Sequence, residues 1–250
     1  MFKNDDESHQ HSLETLNQLY NYSDFMESIK TMADIGCGSG KDLEWWATRT
    51  TNDEYSTPLN IECQGIDILD KLPVAMSYPN ITYQKTDFEG TIYTSKDKFD
   101  VLWCHDAFQY AVNPLQTLIN WRDITTDGAM LALALPQTTN YYRKELDFTL
   151  SNGCYYHHTI VSLIHMLAVA GWDCKAGFFK KSISDNWLHA IVYKSNQGPF
   201  DPKTTTWYDL VDAKLLPEWA DRSILSRGIL HQKDLVLPWL DKGLYRMASQ

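Results

Sequence analysis

The run Thr31-Met32-Ala33-Asp34-Ile35-Gly36-Cys37-Gly38-Ser39-Gly40-Lys41-Asp42 constrains this chain more than any other stretch. A short apolar strand leads into three glycines at alternate positions, and a helix-forming segment follows. With no Cβ at those positions, the backbone can turn tightly and come close to a ligand. The first N–H groups of the next helix then point at whatever occupies the turn. Spacing discriminates between ligands. A dinucleotide fingerprint has glycine at the first, third and sixth positions, whereas here the third glycine stands fifth and Lys41 stands sixth. Asp34 places a carboxylate at the strand end, where it repels a pyrophosphate and favours an ammonium. An amino acid joined to a nucleoside suits both ends of such a site.

Further along, Ile61–Asp67 reads as a second strand ending in a carboxylate able to accept hydrogen bonds from both ribose hydroxyls, although Asp is also an ordinary turn residue. Ile81–Lys85 is a third strand, and Lys98–Cys104 a fourth. Ala129–Leu135 is nearly continuous apolar sequence, the mark of a strand buried on both faces. Helices are expected over about 41–49, 115–124 and 159–170, with Asp127-Gly128 as a turn. Asp173–Phe179 and Trp187–Tyr193 form two strands in hairpin order. Trp45 and Trp46 are adjacent, so only one is expected to face the sheet. Residues 50–60 read as a long loop, and the segment 68–80, broken by Pro73 and Pro79, leaves little room for a crossover helix. Residues 1–11 read as frayed, and 12–20 as a short helix with leucines at helical spacing.

The pattern Asp-x-Gly-x-Gly-x-Gly over 34–40 resembles the first motif of class I S-adenosylmethionine-dependent methyltransferases. Phe99-Asp100-Val101 and the segment His105–Pro114 resemble the fourth strand and the following loop of small-molecule members of that family. The resemblance covers about 31–195. It implies an α/β fold, a Rossmann-like doubly wound sheet, mostly parallel with an antiparallel last strand. It implies S-adenosylmethionine as cofactor, held by Asp34, Gly36, Cys37, Gly38 and Gly40 at the turn. Asp67 and Ile68 would take the ribose end, Asp87 and Phe88 the adenine, and Cys104 would contribute its backbone. His105 and Asp106 are the candidates for proton transfer, since imidazole accepts a proton near neutrality; the alternative is that both merely line the loop or cap the next helix. Gln109, Tyr110, Tyr141 and Arg143 are candidates for the acceptor pocket, Arg143 with a solvated surface as its plainer reading. Nucleic-acid amino methyltransferases follow this strand with Asn/Asp-Pro-Pro-aromatic; here His105-Asp106-Ala107-Phe108 stands instead.

Composition narrows the rest. At 250 residues and 44% hydrophobic, the chain can bury one sizeable core. A net charge of −10, from 22 basic and 32 acidic residues, argues against a nucleic-acid backbone as main partner. The five cysteines follow no framework spacing and read as reduced thiols of a cytoplasmic protein. The start of the sequence, Met1–Gln10, has no apolar h-region, and no run is long enough to span a membrane. Cys154, His157, His158 and His165 lack metal-site spacing, so no metal is expected. The expected organisation is an N-terminal helical cap (1–30), a core (31–196) and a helical extension (197–250), whose apolar residues could pack on the core or form a homodimer. The leading expectation is methyl transfer to an oxygen or nitrogen of a small-molecule acceptor. The competing ones are a donor-binding adaptor without catalysis, and a protein or RNA methyltransferase.

Overall fold

The computed structural model describes residues 5–21, 23–70, 77–92, 98–136, 156, 158, 160–181 and 187–216. Two helices, α1 (Asp5–Tyr20) and α2 (Ser23–Ser28), precede the strand β1 (Thr31–Ile35). Then follow α3 (Lys41–Ala47), β2 (Glu62–Asp67), β3 (Ile81–Lys85), β4 (Phe99–His105) and α4 (Pro114–Asp123). The described chain ends with β5 (Thr125–Pro136), α5 (Ile160–Val169), β6 (Trp172–Lys181), β7 (Trp187–Lys194) and α6 (Trp207–Asp212). The strands form one sheet in the order β3-β2-β1-β4-β5-β7-β6. Pairs among the first five are parallel, while β7 runs antiparallel to both β5 and β6. The expected Rossmann-like sheet is therefore present. Strand order reverses between β1 and β4, and the crevice at the carboxyl ends of those two strands is where open α/β sheets bind ligands.

Alternation along each strand divides the core in two. Ala33, Ile35, Leu102, Cys104, Leu131, Leu133 and Leu135 face α4, α5 and α6. Met32, Val101, Trp103, Met130 and Ala132 face the other side, with Leu16, Met26, Leu43 and Trp46 from α1, α2 and α3. Asp34 and His105 continue this second face by the same alternation.

Three local expectations are corrected. Residues 5–11 are helical, joined to 12–20 in one helix that docks on the sheet end, so the polar sequence is ordered by contacts rather than by propensity. The adjacent tryptophans divide as expected, although both are buried: Trp46 meets Trp103 of the sheet edge-on at 6.3 Å, and Trp45 lies under the Arg49 guanidinium at 4.2 Å. Asp127-Gly128 is not a turn but lies inside β5, where the register slips from Phe99↔Thr125 to Val101↔Met130 and Gly128 takes a φ of 74°. Such an irregularity accommodates a turn-forming dipeptide without ending the strand. The fourth strand runs one residue further than expected, so His105 is a strand residue rather than the first of the loop.

Past β7, the chain packs back on the core. Phe200 N–H donates to the Val169 carbonyl, Cys174 N–H donates to that of Leu215, and Leu210, Leu215 and Leu216 are buried. α6 opens on a capping box between Thr206 and Asp209. The remainder of the expected extension, 217–250, lies outside the described residues. Among the described residues, no helix is long and apolar enough to cross a membrane.

Candidate functional site

The glycine turn closes onto the strand beside it. Gly36 and Cys37 donate their N–H groups to the Ile66 carbonyl at 2.7 and 3.2 Å, and Gly40 N–H donates to the Cys37 carbonyl at 2.8 Å. Gly36, Gly38 and Gly40 have φ of 74°, 52° and 84°, a region L side chains rarely adopt. A Cβ on Gly36 would also stand 2.3 Å from the Cβ of Ala107, so the loop after β4 touches the turn directly. Asp67, at the end of β2, accepts the N–H groups of Gly38 (2.9 Å) and Leu69 (3.1 Å). Its carboxylate is thereby fixed beside the turn, and each oxygen keeps a second lone pair for a hydroxyl.

Asp34 is 2% exposed, and its Oδ2 has no hydrogen-bond partner among the described residues. Burial, followed by the charges of Asp42 and Asp67, holds its carboxyl well above the usual carboxylate range. The same surroundings push up the Cys37 thiol: burial first, then Asp34 and Asp67. Cys104, 1% exposed, is raised by burial and then by Asp34. Three carboxylates thus converge on one crevice, one of them buried with an unused acceptor. An ammonium or sulfonium is the chemistry that would relieve them.

α1 covers this end of the sheet. Asp42, in the first turn of α3, accepts hydrogen bonds from Ser12 Oγ (2.6 Å) and Trp103 Nε1 (2.8 Å) and pairs with His9 Nδ1. His11 Nδ1 lies 2.9 Å from His105 Nε2. The His11 ring stacks on Trp187 at 4.3 Å and lies 5.2 Å from that of His189. The strand register explains the assembly. His105 on β4 and His189 on β7 both face Ala134 of β5, whose small side chain leaves room between them.

Residues 33–133 match the family described as "Methyltransferase domain". The likeness to that family spans this segment of the chain. No curated protein sequence matches the chain. Among solved structures, the plantazolicin methyltransferase BpumL in complex with SAH is 17% identical, with 74% of this chain and 83% of that one covered and a TM-score of 0.53. A Burkholderia thailandensis 1,6-didemethyltoxoflavin-N1-methyltransferase, bound to 1,6-didemethyltoxoflavin and S-adenosylhomocysteine, is 9% identical (76% and 87% covered, TM-score 0.51). The N-methyltransferase NodS from Bradyrhizobium japonicum is 14% identical (74% and 97% covered, TM-score 0.50). At such identities the likeness concerns the fold.

Within the matched segment, the structure brings Asp34, Gly36, Cys37, Gly38, Gly40 and Asp67 to one crevice. Ile68 follows Asp67 and is 64% exposed. Asp87 is exposed and makes its own turn, its Oδ1 accepting Glu89 N–H at 2.9 Å. The Phe88 ring meets Trp121 edge-on at 6.0 Å, and its carbonyl accepts the Trp121 indole N–H. Phe88 is thus engaged with the core, and its backbone N–H is the group left for the role expected of it. Asp106 takes a φ of 57°, and its side chain and carbonyl accept from Gln109 Nε2 at 2.8 and 3.0 Å. Gln109 is buried, with Oε1 unpartnered among the described residues, while Tyr110 is exposed. Tyr141 and Arg143 lie outside the described residues. Reading the sequence missed Asp42, His9, His11, Trp187 and His189. One signal was available for part of this set: Trp-x-His recurs as Trp103-Cys104-His105 and Trp187-Leu188-His189, the alternation that puts an indole and an imidazole on one strand face.

Proposed function

We propose that this chain uses S-adenosylmethionine to methylate an oxygen or nitrogen of a small-molecule acceptor. The observation that carries the proposal is Asp34, a buried carboxylate with an unpartnered oxygen, set beside Asp42 and Asp67 at the glycine turn. Bound there, the donor supplies an electrophilic methyl group on a positively charged sulfur. The residues fit that role: Asp34 takes the ammonium, the turn at Gly36–Gly40 admits the amino-acid portion, and Asp67 takes the ribose hydroxyls. Ile68, Asp87 and the Phe88 N–H lie toward the base, and Cys37 and Cys104 flank the crevice through their backbones.

His105 is the base for an acceptor that must lose a proton, and Asp106, held by Gln109, helps to orient that acceptor. Tyr110, Tyr141 and Arg143 complete the acceptor side in this reading. Transfer is an in-line displacement, so the protein's contribution is alignment and exclusion of water, with α1 closing the crevice. The cap at 1–30 and the core at 31–196 carry the chemistry. The extension from 197 braces α5 and β6 and is the surface for pairing with a second copy. Among the described residues, the cysteines Cys37, Cys63, Cys104 and Cys174 are free and buried, which suits a cytoplasmic setting.

Calorimetry with S-adenosylmethionine and S-adenosylhomocysteine tests donor binding directly. Incubation with methyl-labelled donor and fractionated metabolite, protein and RNA pools tests the acceptor. Label confined to the metabolite pool supports the proposal. Label in protein or RNA refutes its acceptor class, and donor binding without transfer to any pool identifies an adaptor.

A further inference from the structure

Asp67 ends β2, and its carboxylate is set by a short circuit of hydrogen bonds that runs through the backbone after the strand. Oδ2 takes the Gly38 N–H and Oδ1 the Leu69 N–H, at 2.9 and 3.1 Å. The second bond folds the chain back two residues past the strand, an Asx turn. Ile68 and Leu69 are both exposed, so burial of their side chains does little to hold that turn against water. Lys85 pairs with Asp70 one residue further on, but both side chains are exposed, and a surface ion pair adds little.

A stronger tie comes from the neighbouring strand. The Tyr83 hydroxyl donates to the Leu69 carbonyl at 2.6 Å and lies 3.2 Å from the Asp67 carbonyl. Both partners are carbonyl oxygens, which only accept, so the direction of these bonds is fixed. One proton serves both, with the shorter bond to Leu69 taking most of it. That proton is secure: burial, then the neighbouring Cys37, Asp67 and Asp70, push the phenol up to about 12. Register gives the reach. β3 is parallel to β2, with Tyr83 opposite Gly65 and Lys85 opposite Asp67. The Tyr83 backbone therefore stands two residues short of Asp67, about 6.6 Å of strand. A tyrosine can lean that far along the face because Gly65 has no side chain in its way. The ring packs against the second face of the core, so the hydroxyl is delivered from an anchored ring.

We infer that Tyr83 is a positioning residue for Asp67: by tying down the turn at Leu69, it holds the carboxylate ready for the ribose hydroxyls of the donor. The inference rests on the proposed binding of the donor at the glycine turn. Without the Tyr83 hydroxyl the turn opens to water, Oδ1 loses its backbone partner, and the carboxylate must be ordered when the donor arrives. Ordering on binding weakens affinity even though no contact with the ligand is removed. The loss expected is that of one hydrogen bond, roughly three- to tenfold in donor affinity. It falls on the two ribose hydroxyls, since Asp67 is the group displaced.

The test pairs hydroxyl-free variants of the full chain with two ligands. Tyr83→Phe keeps the ring and removes the hydroxyl; Tyr83→Leu serves as a second such variant should the Phe protein fail to fold. Hydrogen exchange of the Leu69 amide in ligand-free protein reads the tie itself, and it should be about threefold faster or more in the variants. Calorimetry with S-adenosylhomocysteine and with its 2′,3′-dideoxy analogue reads the consequence. The expected result is S-adenosylhomocysteine bound roughly three- to tenfold more weakly, with the dideoxy analogue within about twofold of its wild-type affinity. Unchanged exchange or unchanged affinity overturns the inference. Equal weakening of both ligands also overturns it, because that is what a merely structural tyrosine would give. Wild-type protein that gives no heat with S-adenosylhomocysteine, or binds the two ligands equally well, refutes instead the underlying proposal for the donor and Asp67, and the role of Tyr83 toward a ribose with it.

Discussion

Replacing Asp34 by Asn should raise the stability of the donor-free protein while weakening donor binding, two effects of opposite sign from one atom. The buried Oδ2 of Asp34 has no partner, and the neighbouring charges of Asp42 and Asp67 act against its ionisation. Leaving a buried polar group unsatisfied costs about 1–3 kcal/mol, and more when it is charged. An amide removes the charge but not the whole desolvation cost, so the gain is about 1–2 kcal/mol, or roughly 2–8 °C in Tm for a chain of this size. A charge-assisted hydrogen bond to the donor's ammonium contributes about 1.5–3 kcal/mol, so its loss weakens binding by roughly ten- to a hundredfold. Thermal unfolding without ligand and calorimetric titration with S-adenosylmethionine measure the two. The sign of the pH dependence follows from the same residue. Because the folded-state pKa of Asp34 is raised, its contribution is fully present below the unfolded value of 3.8 and is lost as pH rises through the folded value. Asp34→Asn removes that part of the profile. An Asn variant that melts lower than the wild type, or binds donor equally well, would refute the reasoning, because a merely structural aspartate would lose stability on substitution.

Gly36→Ala should destroy donor binding and destabilise the protein, since it combines a φ of 74° with a Cβ 2.3 Å from that of Ala107. Adding Ala107→Gly removes the overlap and should recover stability down to the backbone strain alone, about 1–2 kcal/mol; chemical denaturation of the single and double variants checks this, and no recovery would show that the overlap is not the cause. Glu89 accepts the N–H groups of Val112 and Asn113 and the Thr117 hydroxyl; burial pushes its carboxyl up, but these bonds outweigh it and hold it low. Its contribution to stability is therefore present above the unfolded pKa and lost as pH falls through the folded one, so Glu89→Gln should flatten the acid limb of the stability profile. Arg122 donates to the carbonyls of Gly171, Ser195 and Gln197, and Arg122→Met should cost about 1–3 kcal/mol in urea unfolding while leaving donor affinity within twofold.

How far the sequence could be read depended on whether the determining interaction was local. β1 and the apolar run within β5 were legible because strands buried on both faces have few ways to be written. That Asp34, Gly36, Gly38, Gly40 and Asp67 meet at one place was legible because a turn and two strand ends carry their own spacing. Asp127-Gly128 misled because turn chemistry is a local preference, and the bulge opposite Phe99 is set by the neighbouring strand.

The N-terminal helix shows the same limit from the side of function. Of its polar residues, His9 and His11 lie where the sequence predicts fraying and Ser12 and Thr15 where it predicts a short helix; nothing in 5–11 supplies an apolar stripe. Each of them instead meets a polar group of the folded core: Asp42 takes His9 and Ser12, His105 takes His11, and His189 takes Thr15. Those three partners lie 30, 94 and 174 positions along from Ser12, His11 and Thr15, respectively, and only the sheet order brings them within reach of one helix. In the proposed reading, the helix is ordered by the same groups that the chemistry needs, which couples its docking on the crevice to the placement of His105. A sequence pattern records neither half of that coupling, since one half is a register across β4, β5 and β7 and the other is a set of hydrogen bonds that exist only once the sheet has formed.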